Sequence, residues 1–129
     1  MEQLSEVLSN HLSDQTSEVT FARLLSDEHP MYCLLIEHEG VPAGMVHFIM
    51  HRSTWTTGDY CYLQDLYVVE TSRGNGIGKA LILAVYEKAQ NAGCSRVYWT
   101  TQEKNERARK VYDRIASKTD FIQYRHLIN

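Results

Sequence analysis

The sequence is short of proline, of cysteine and of net positive charge. With two prolines in 129 residues and no repeat or low-complexity stretch, nothing marks a linker, and the length is that of one domain spanning 1–129. Cys33, Cys61 and Cys94 are odd in number and widely spaced, which argues against a disulfide framework or a zinc knuckle and fits free thiols in a reducing cytoplasm. Thirteen Lys and Arg against sixteen Asp and Glu give a net charge of −3, so no basic field points to nucleic acid. No apolar run approaches a membrane span, and the opening Met-Glu-Gln-Leu-Ser-Glu lacks the basic and apolar parts of a secretory leader. A cytoplasmic protein without a membrane partner is the expectation. What remains is an ordinary globular composition, 43% hydrophobic and 22% charged.

The elements follow from periodicity. Leu4, Val7, Leu8 and Leu12 have helical spacing, and Phe21, Leu24 and Leu25 suggest a second short helix, so residues 1–28 read as helical with a break. Pro30 ends that part. Met31–Glu37 and Ala43–His51 read as strands joined by a turn at Glu39-Gly40, and Cys61–Val69 reads as a third strand after the polar loop 53–59. The short turn predicts an antiparallel meander. A helix starts near Ile77 and carries Leu81, Ile82, Val85 and Ala89 on one face until Gly93 stops it. A fourth strand covers 95–101, parallel to the third because a helix joins them. A second helix runs from about Asn105 to Ser117 with Ala108, Val111, Tyr112 and Ile115 on one face, and Phe121–Leu127 reads as a last strand. The class is α+β: a mixed, mostly antiparallel sheet with a central parallel βαβ unit and helices on its faces.

The chemistry concentrates at Arg73-Gly74-Asn75-Gly76-Ile77-Gly78-Lys79, between a strand and a helix start. Glycines there admit positive φ and close backbone approach, while open N–H groups and the helix dipole favour phosphate. Two nucleotide motifs fail on counting. A dinucleotide fingerprint beginning at Gly74 needs glycine where Lys79 stands, and a Walker A loop needs four residues before Gly78-Lys79 and a hydroxyl where Ala80 stands. A plain tight turn is the other reading of the glycines.

The loop fits Arg/Gln-x-x-Gly-x-Gly/Ala, follows Leu63-Gln64-Asp65-Leu66-Tyr67-Val68, and precedes Asn105 and Tyr112 seven residues apart. In this combination the sequence, over residues 20–128, resembles the GNAT superfamily of acyl-CoA-dependent N-acyltransferases. The resemblance implies acetyl-CoA as cosubstrate. Its pyrophosphate would lie on the loop amides of Gly74, Asn75, Gly76, Ile77, Gly78 and Lys79, with Arg73 in the same cosubstrate site. Its pantetheine arm would lie on backbone groups at Leu66, Tyr67 and Val68, which also stabilise the oxyanion. Asn105 matches a CoA-contacting asparagine, although it also sits where a helix cap belongs. Tyr112 matches the tyrosine that protonates the leaving thiolate, although a core aromatic would look the same.

The polyamine branch of the family has Leu-Glu-Asp where this chain has Leu63-Gln64-Asp65. Gln64 cannot be a base, which leaves Asp65 and Glu103 as acidic candidates. Strand alternation turns Gln64 and Asp65 to opposite faces unless a bulge intervenes. His47 and His51 lack a third ligand, so no metal is expected, and the cysteines lack the His or Asp company of a nucleophile. The implied reaction is direct attack of a primary amine, from a small molecule or a lysine-type side chain, on acetyl-CoA. The alternative is a non-catalytic acyl-CoA sensor. The family usually begins with a strand and a helix that precede the matched part, so Met31–Glu37 is expected to be a sheet edge covered by a partner subunit in a homodimer.

Overall fold

The computed structural model describes residues 2–3, 17–23, 31–70, 73–74 and 76–128, with backbone alone for the first two stretches. The chain divides into two compact units, Met1–Trp99 and Thr100–Asn129.

The first unit is built on one sheet of six strands in chain order: β1 (Glu2–Gln3), β2 (Ser17–Arg23), β3 (Met31–His38), β4 (Val41–His51), β5 (Tyr60–Val68) and β6 (Arg96–Tyr98). Neighbours are antiparallel up to β5, and β5 and β6 are parallel. Helix α1 (Ile77–Asn91) connects that last pair. The meander turn at Glu39-Gly40 takes positive φ at both residues, 53° and 79°, the geometry a tight hairpin demands.

Two expectations about the start of the chain change. Ser17–Arg23 is a strand, not a helix: Phe21 belongs to an alternating, β-branched stretch with Val19 and Thr20, and pairing with β3 in register from Ser17↔His38 to Arg23↔Tyr32 prevails over helical spacing. The helical spacing of Leu4, Val7, Leu8 and Leu12, and Leu24 and Leu25, lie outside the described residues. Because β2 pairs along its length with β3, Met31–His38 is an interior strand and not an open edge.

The core lies between one face of the sheet and α1. Leu34 and Ile36 of β3, Val46 and Phe48 of β4, and Cys61 and Leu63 of β5 are buried there with Ile77, Leu81, Ile82 and Val85 of the helix. Each contributing strand alternates, so the residues between them point to the opposite face. Gly44 lets helix and strands close up: a Cβ there would lie 2.8 Å from the Tyr67 carbonyl oxygen and 3.1 Å from Ile77 Cγ2. Gly93, at φ 81°, ends α1, its N–H bonding the Gln90 carbonyl.

The second unit holds helix α2 (Glu106–Ile115). Ala108, Val111, Tyr112 and Ile115 are half-buried, as their spacing predicts. Phe121–Leu127 is not a strand. A strand needs a neighbour to bond its N–H and C=O groups, and among the described residues the regular structure of this unit is α2 alone. Phe121, Ile122, Tyr124 and Leu127 are exposed.

Candidate active site

Where β5 meets β6 the ladder is three residues long: Tyr60↔Arg96, Cys61↔Val97 and Tyr62↔Tyr98. Beyond Tyr62 the outer edge of β5 runs without ladder partners on that side. Val69 N–H bonds the Ala43 carbonyl at 2.9 Å, and the Tyr67 carbonyl lies against Gly44. By the alternation of an antiparallel ladder, Leu66 and Val68 therefore turn their N–H and C=O groups to the open edge, and Tyr67 turns its own toward β4. The Val68 carbonyl accepts from Arg73 Nε at 3.2 Å, which draws the loop back onto the strand end. The Tyr67 ring is exposed, while the Leu66 and Val68 side chains face α1 near Gly78.

The glycine-rich turn delivers the chain into α1 in the geometry its composition suggests. Gly74 has φ 88° and Gly76, the N-cap of α1, has φ 77°. No side chain caps the helix and its first turn carries no acidic residue. The first N–H groups of a helix lack intrahelical partners, so the amides that open α1, at Ile77, Gly78 and Lys79, present partial positive charge. Lys79 is exposed and adds a full one, whereas the Ile77 side chain is buried in the core. An extended, phosphate-bearing thioester fits these groups: an anion at the helix start, and an amide-containing arm along the edge of β5. Asn75 lies outside the described residues.

The face of the sheet away from α1 carries the titratable groups, and a bulge decides which. His47 pairs with Asp65, but Phe48 pairs with Leu63, so Gln64 is the extra residue on β5. The bulge resets the alternation and turns Asp65 to the same face as His47, where His47 Nδ1 lies 3.1 Å from Asp65 Oδ2. A carboxylate only accepts, so Nδ1 carries the proton and donates, leaving the lone pair on Nε2. The sequence carried a trace of this: Leu63 and Leu66 stand three apart where strict alternation requires an even number.

Next along this face, His51 Nδ1 donates to the Arg52 carbonyl at 2.9 Å, and its Nε2 accepts from the Tyr98 hydroxyl at 2.7 Å. Burial pushes the Tyr98 phenol up, so it stays a donor. Tyr60, Tyr62 and Tyr98 pack edge-on or tilted against one another and His51, and the Arg96 guanidinium sits 3.8 Å from the Tyr60 ring centre. The cysteines are unsuited to nucleophilic work. Cys33 does have histidine company, as the register partner of His47, but it is buried and desolvation raises its thiol. Burial pushes Cys61 up to about 12. Among the described residues no cluster could hold a metal ion.

In the second unit Asn105 is the N-cap of α2, its side chain accepting from Ala108 N–H at 3.4 Å and donating to Thr101 Oγ1 at 3.5 Å. Arg109 anchors the preceding turn by donating to the Glu103 carbonyl at 2.7 Å. Tyr112 lies two turns along from Asn105, and burial raises its phenol above the usual range, which keeps a proton available for donation. Glu103 itself is exposed.

Known proteins show the family. The model of the acetyltransferase (GNAT) family matches residues 1–116. The chain is 34% identical over 113 residues to the D-amino-acid N-acetyltransferase HPA3 of Saccharomyces cerevisiae, covering 86% of this chain and 70% of that protein. It is 33% identical over 121 residues to the thialysine N-epsilon-acetyltransferase of Sus scrofa, with 83% and 69% covered. Its fold matches a ribosomal-protein-alanine N-acetyltransferase from Brucella melitensis biovar Abortus 2308, with a TM-score of 0.75 at 22% identity over 88% of this chain and 100% of that one. It also matches the aminoglycoside N-acetyltransferase AAC(6')-Iy in complex with CoA, with a TM-score of 0.69 at 22% identity over 81% and 70%. The chain therefore belongs to the GNAT family of acetyltransferases, and it is an acetyl-CoA-dependent N-acetyltransferase that acylates an amine.

Proposed function

We propose that the acceptor is a primary amine on a small molecule or a lysine-type side chain, and that it attacks acetyl-CoA directly in a ternary complex. The observation that carries this reading is the three-residue β5–β6 ladder beside a helix start capped by Gly76. It supports a role for the amides of Gly74 and Gly76–Lys79 on the pyrophosphate, with Arg73, whose own N–H bonds the Glu70 carbonyl, holding the loop to the strand end, and for the edge groups of Leu66 and Val68 on the pantetheine arm. Asn75 and Asn105 complete the proposed cosubstrate contacts; the Tyr67 backbone, expected on the pantetheine arm, is turned to β4, which leaves its exposed ring as the group it offers. Tyr112 is the proposed acid for the leaving thiolate, supported by its raised phenol. Asp65 is the acidic group that draws the acceptor ammonium. With every described thiol raised by burial, attack without an acyl-enzyme is favoured, and positioning of an activated thioester supplies much of the rate.

Relatives named for D-amino acids and thialysine support an amino-acid amine over a polyamine, as does Gln64 in place of a glutamate. The family match across both compact units supports one acetyltransferase domain over 1–129. Free thiols support a cytoplasmic setting, and the net charge of −3 gives nucleic acid no field. No helix among the described residues is long and apolar enough to cross a membrane. A homodimer remains our reading of the assembly, now resting on β2, of whose outer edge β1 covers Thr20 and Phe21.

The test is CoA release against polyamines, D- and L-amino acids, lysine analogues and lysine peptides. Turnover with an amino-acid amine is the expected result. Binding of acetyl-CoA without release across the panel would favour the sensor instead.

A further inference from the structure

We infer that His47 is the general base of the transfer, with Asp65 as the residue that positions it; this rests on the acetyl-transfer reading above. The alkylammonium form of an amine dominates at neutral pH and cannot attack until a proton is removed. Gln64 cannot remove it. The bulge at Gln64 instead builds a pair from two strands, His47 of β4 and Asp65 of β5, joined by the Nδ1–H···Oδ2 hydrogen bond of 3.1 Å. Its tautomer leaves the Nε2 lone pair outward, and among the described residues nothing occupies Nε2 by hydrogen bonding.

His51 offers the contrast on the same strand face. Its Nδ1 is also a donor, to the Arg52 carbonyl, but its Nε2 already accepts from Tyr98 at 2.7 Å. Of the two histidines, His47 alone has both a carboxylate behind the ring and an open acceptor in front, and its side chain is 26% exposed. Asp65 directly precedes Leu66, the first residue turned to the open edge, so the pair stands next to the backbone proposed to hold the thioester. The other titratable groups described on this face are Cys33 and Glu37 from β3, Tyr60, Tyr62 and Tyr67 from β5, Tyr98 and Arg96 from β6, and His51 further along β4. Among the described residues, Asp65 is the carboxylate hydrogen-bonded to the His47 ring.

In the step, His47 Nε2 takes one ammonium proton. The freed nitrogen pair forms the C–N bond as the C–S bond breaks, and the sulfur leaves with its electron pair and takes the Tyr112 proton. The second nitrogen proton returns to the tyrosine through solvent, and His47 gives its own to bulk. One proton is released per amide formed.

The experiment compares wild type, His47→Ala and Asp65→Asn by CoA release across pH, with acetyl-CoA affinity measured alongside. His47→Ala is expected to lose about 100-fold or more in kcat/KM, to lose the acid limb of the pH profile, to keep acetyl-CoA binding, and to recover part of its rate with added imidazole. Asp65→Asn, at an exposed position, is expected to lose less, with the loss in kcat rather than in acetyl-CoA affinity, and Asp65→Glu to recover part of it. A His47→Ala enzyme with wild-type kcat/KM and an unaltered acid limb, or an Asp65→Asn enzyme with wild-type kcat, overturns the inference while leaving acetyl transfer standing. A wild type that binds acetyl-CoA but acylates no amine overturns both.

Discussion

Gly44→Ala tests how tightly the sheet, α1 and the cosubstrate side of the fold are joined. The added methyl carbon would lie 2.8 Å from the Tyr67 carbonyl oxygen, 3.1 Å from Ile77 Cγ2 and 3.2 Å from Leu81 Cδ1. The first is a backbone atom that cannot rotate away, and Leu81 and Ile77 are themselves buried. To restore ordinary contact, β5 or the first turn of α1 must retreat by roughly half an ångström. Overpacking of this kind costs about 1–3 kcal/mol, and the reduced freedom of the unfolded chain on replacing glycine returns about 0.4–1 kcal/mol. At the middle of both ranges the net is a loss of about 1.3 kcal/mol. At an unfolding entropy of about 0.27 kcal/mol/K for 129 residues, Tm falls by about 5 °C. The strain lands on Tyr67 and Ile77, one beside each proposed cosubstrate contact, so KM for acetyl-CoA is expected to rise more than kcat falls. Thermal unfolding by circular dichroism and steady-state kinetics read both. A Tm equal to or above wild type would refute the close approach, and an unchanged KM would refute its link to the site.

The glycine-rich turn separates conformation from space. Gly76, at φ 77°, cannot carry a β-branched residue without strain, so Gly76→Val should abolish acetyl-CoA binding in a calorimetric titration. Gly78→Ala should keep binding, because its Cβ would meet Val68 and Leu66 at an ordinary 3.6 and 3.8 Å. Tyr112→Phe should lower kcat with acetyl-CoA affinity near wild type; an unchanged kcat would reject the acid role. Because burial raises the Tyr112 phenol, its acidic form persists to higher pH, and the alkaline fall in kcat should lie above the ordinary tyrosine range. Phe48→Ala, at a ring 1% exposed and stacked on Tyr32 at 5.3 Å, should cost about 3–5 kcal/mol by denaturant unfolding.

The elements with strong periodicity were legible. Helix α1 announced itself through its apolar face and Gly93, and strands β3 to β5 through β-branched and aromatic runs. Ser17–Arg23 was not legible, because Phe21 with Leu24 and Leu25 fits helical spacing, and only pairing with β3 decides between the two patterns. Phe121–Leu127 erred in the other direction: its residues suit a strand, but residues alone do not supply a ladder. At the site, the glycine turn could be read locally because φ and helix starts are local properties. The His47–Asp65 pair joins residues eighteen apart through a bulge, and it left only the three-residue spacing of Leu63 and Leu66 as a sign. Gly44 left none, since its neighbours Tyr67, Ile77 and Leu81 are brought to it by the fold.

The brevity of the β5–β6 ladder also bears on how the protein should be handled. The Leu66 backbone groups and the Val68 N–H, which face no strand among the described residues, are competent to pair with any extended chain, including another copy. On the cosubstrate contact proposed above, an occupied site withdraws that edge from solution, and ligand at 100 times its Kd adds about 2.7 kcal/mol to stability. Colloidal behaviour and shelf life are thus coupled to cosubstrate supply: protein purified with acetyl-CoA or CoA should stay dispersed at concentrations where stripped protein aggregates, and removing the ligand by dialysis should bring the aggregation back.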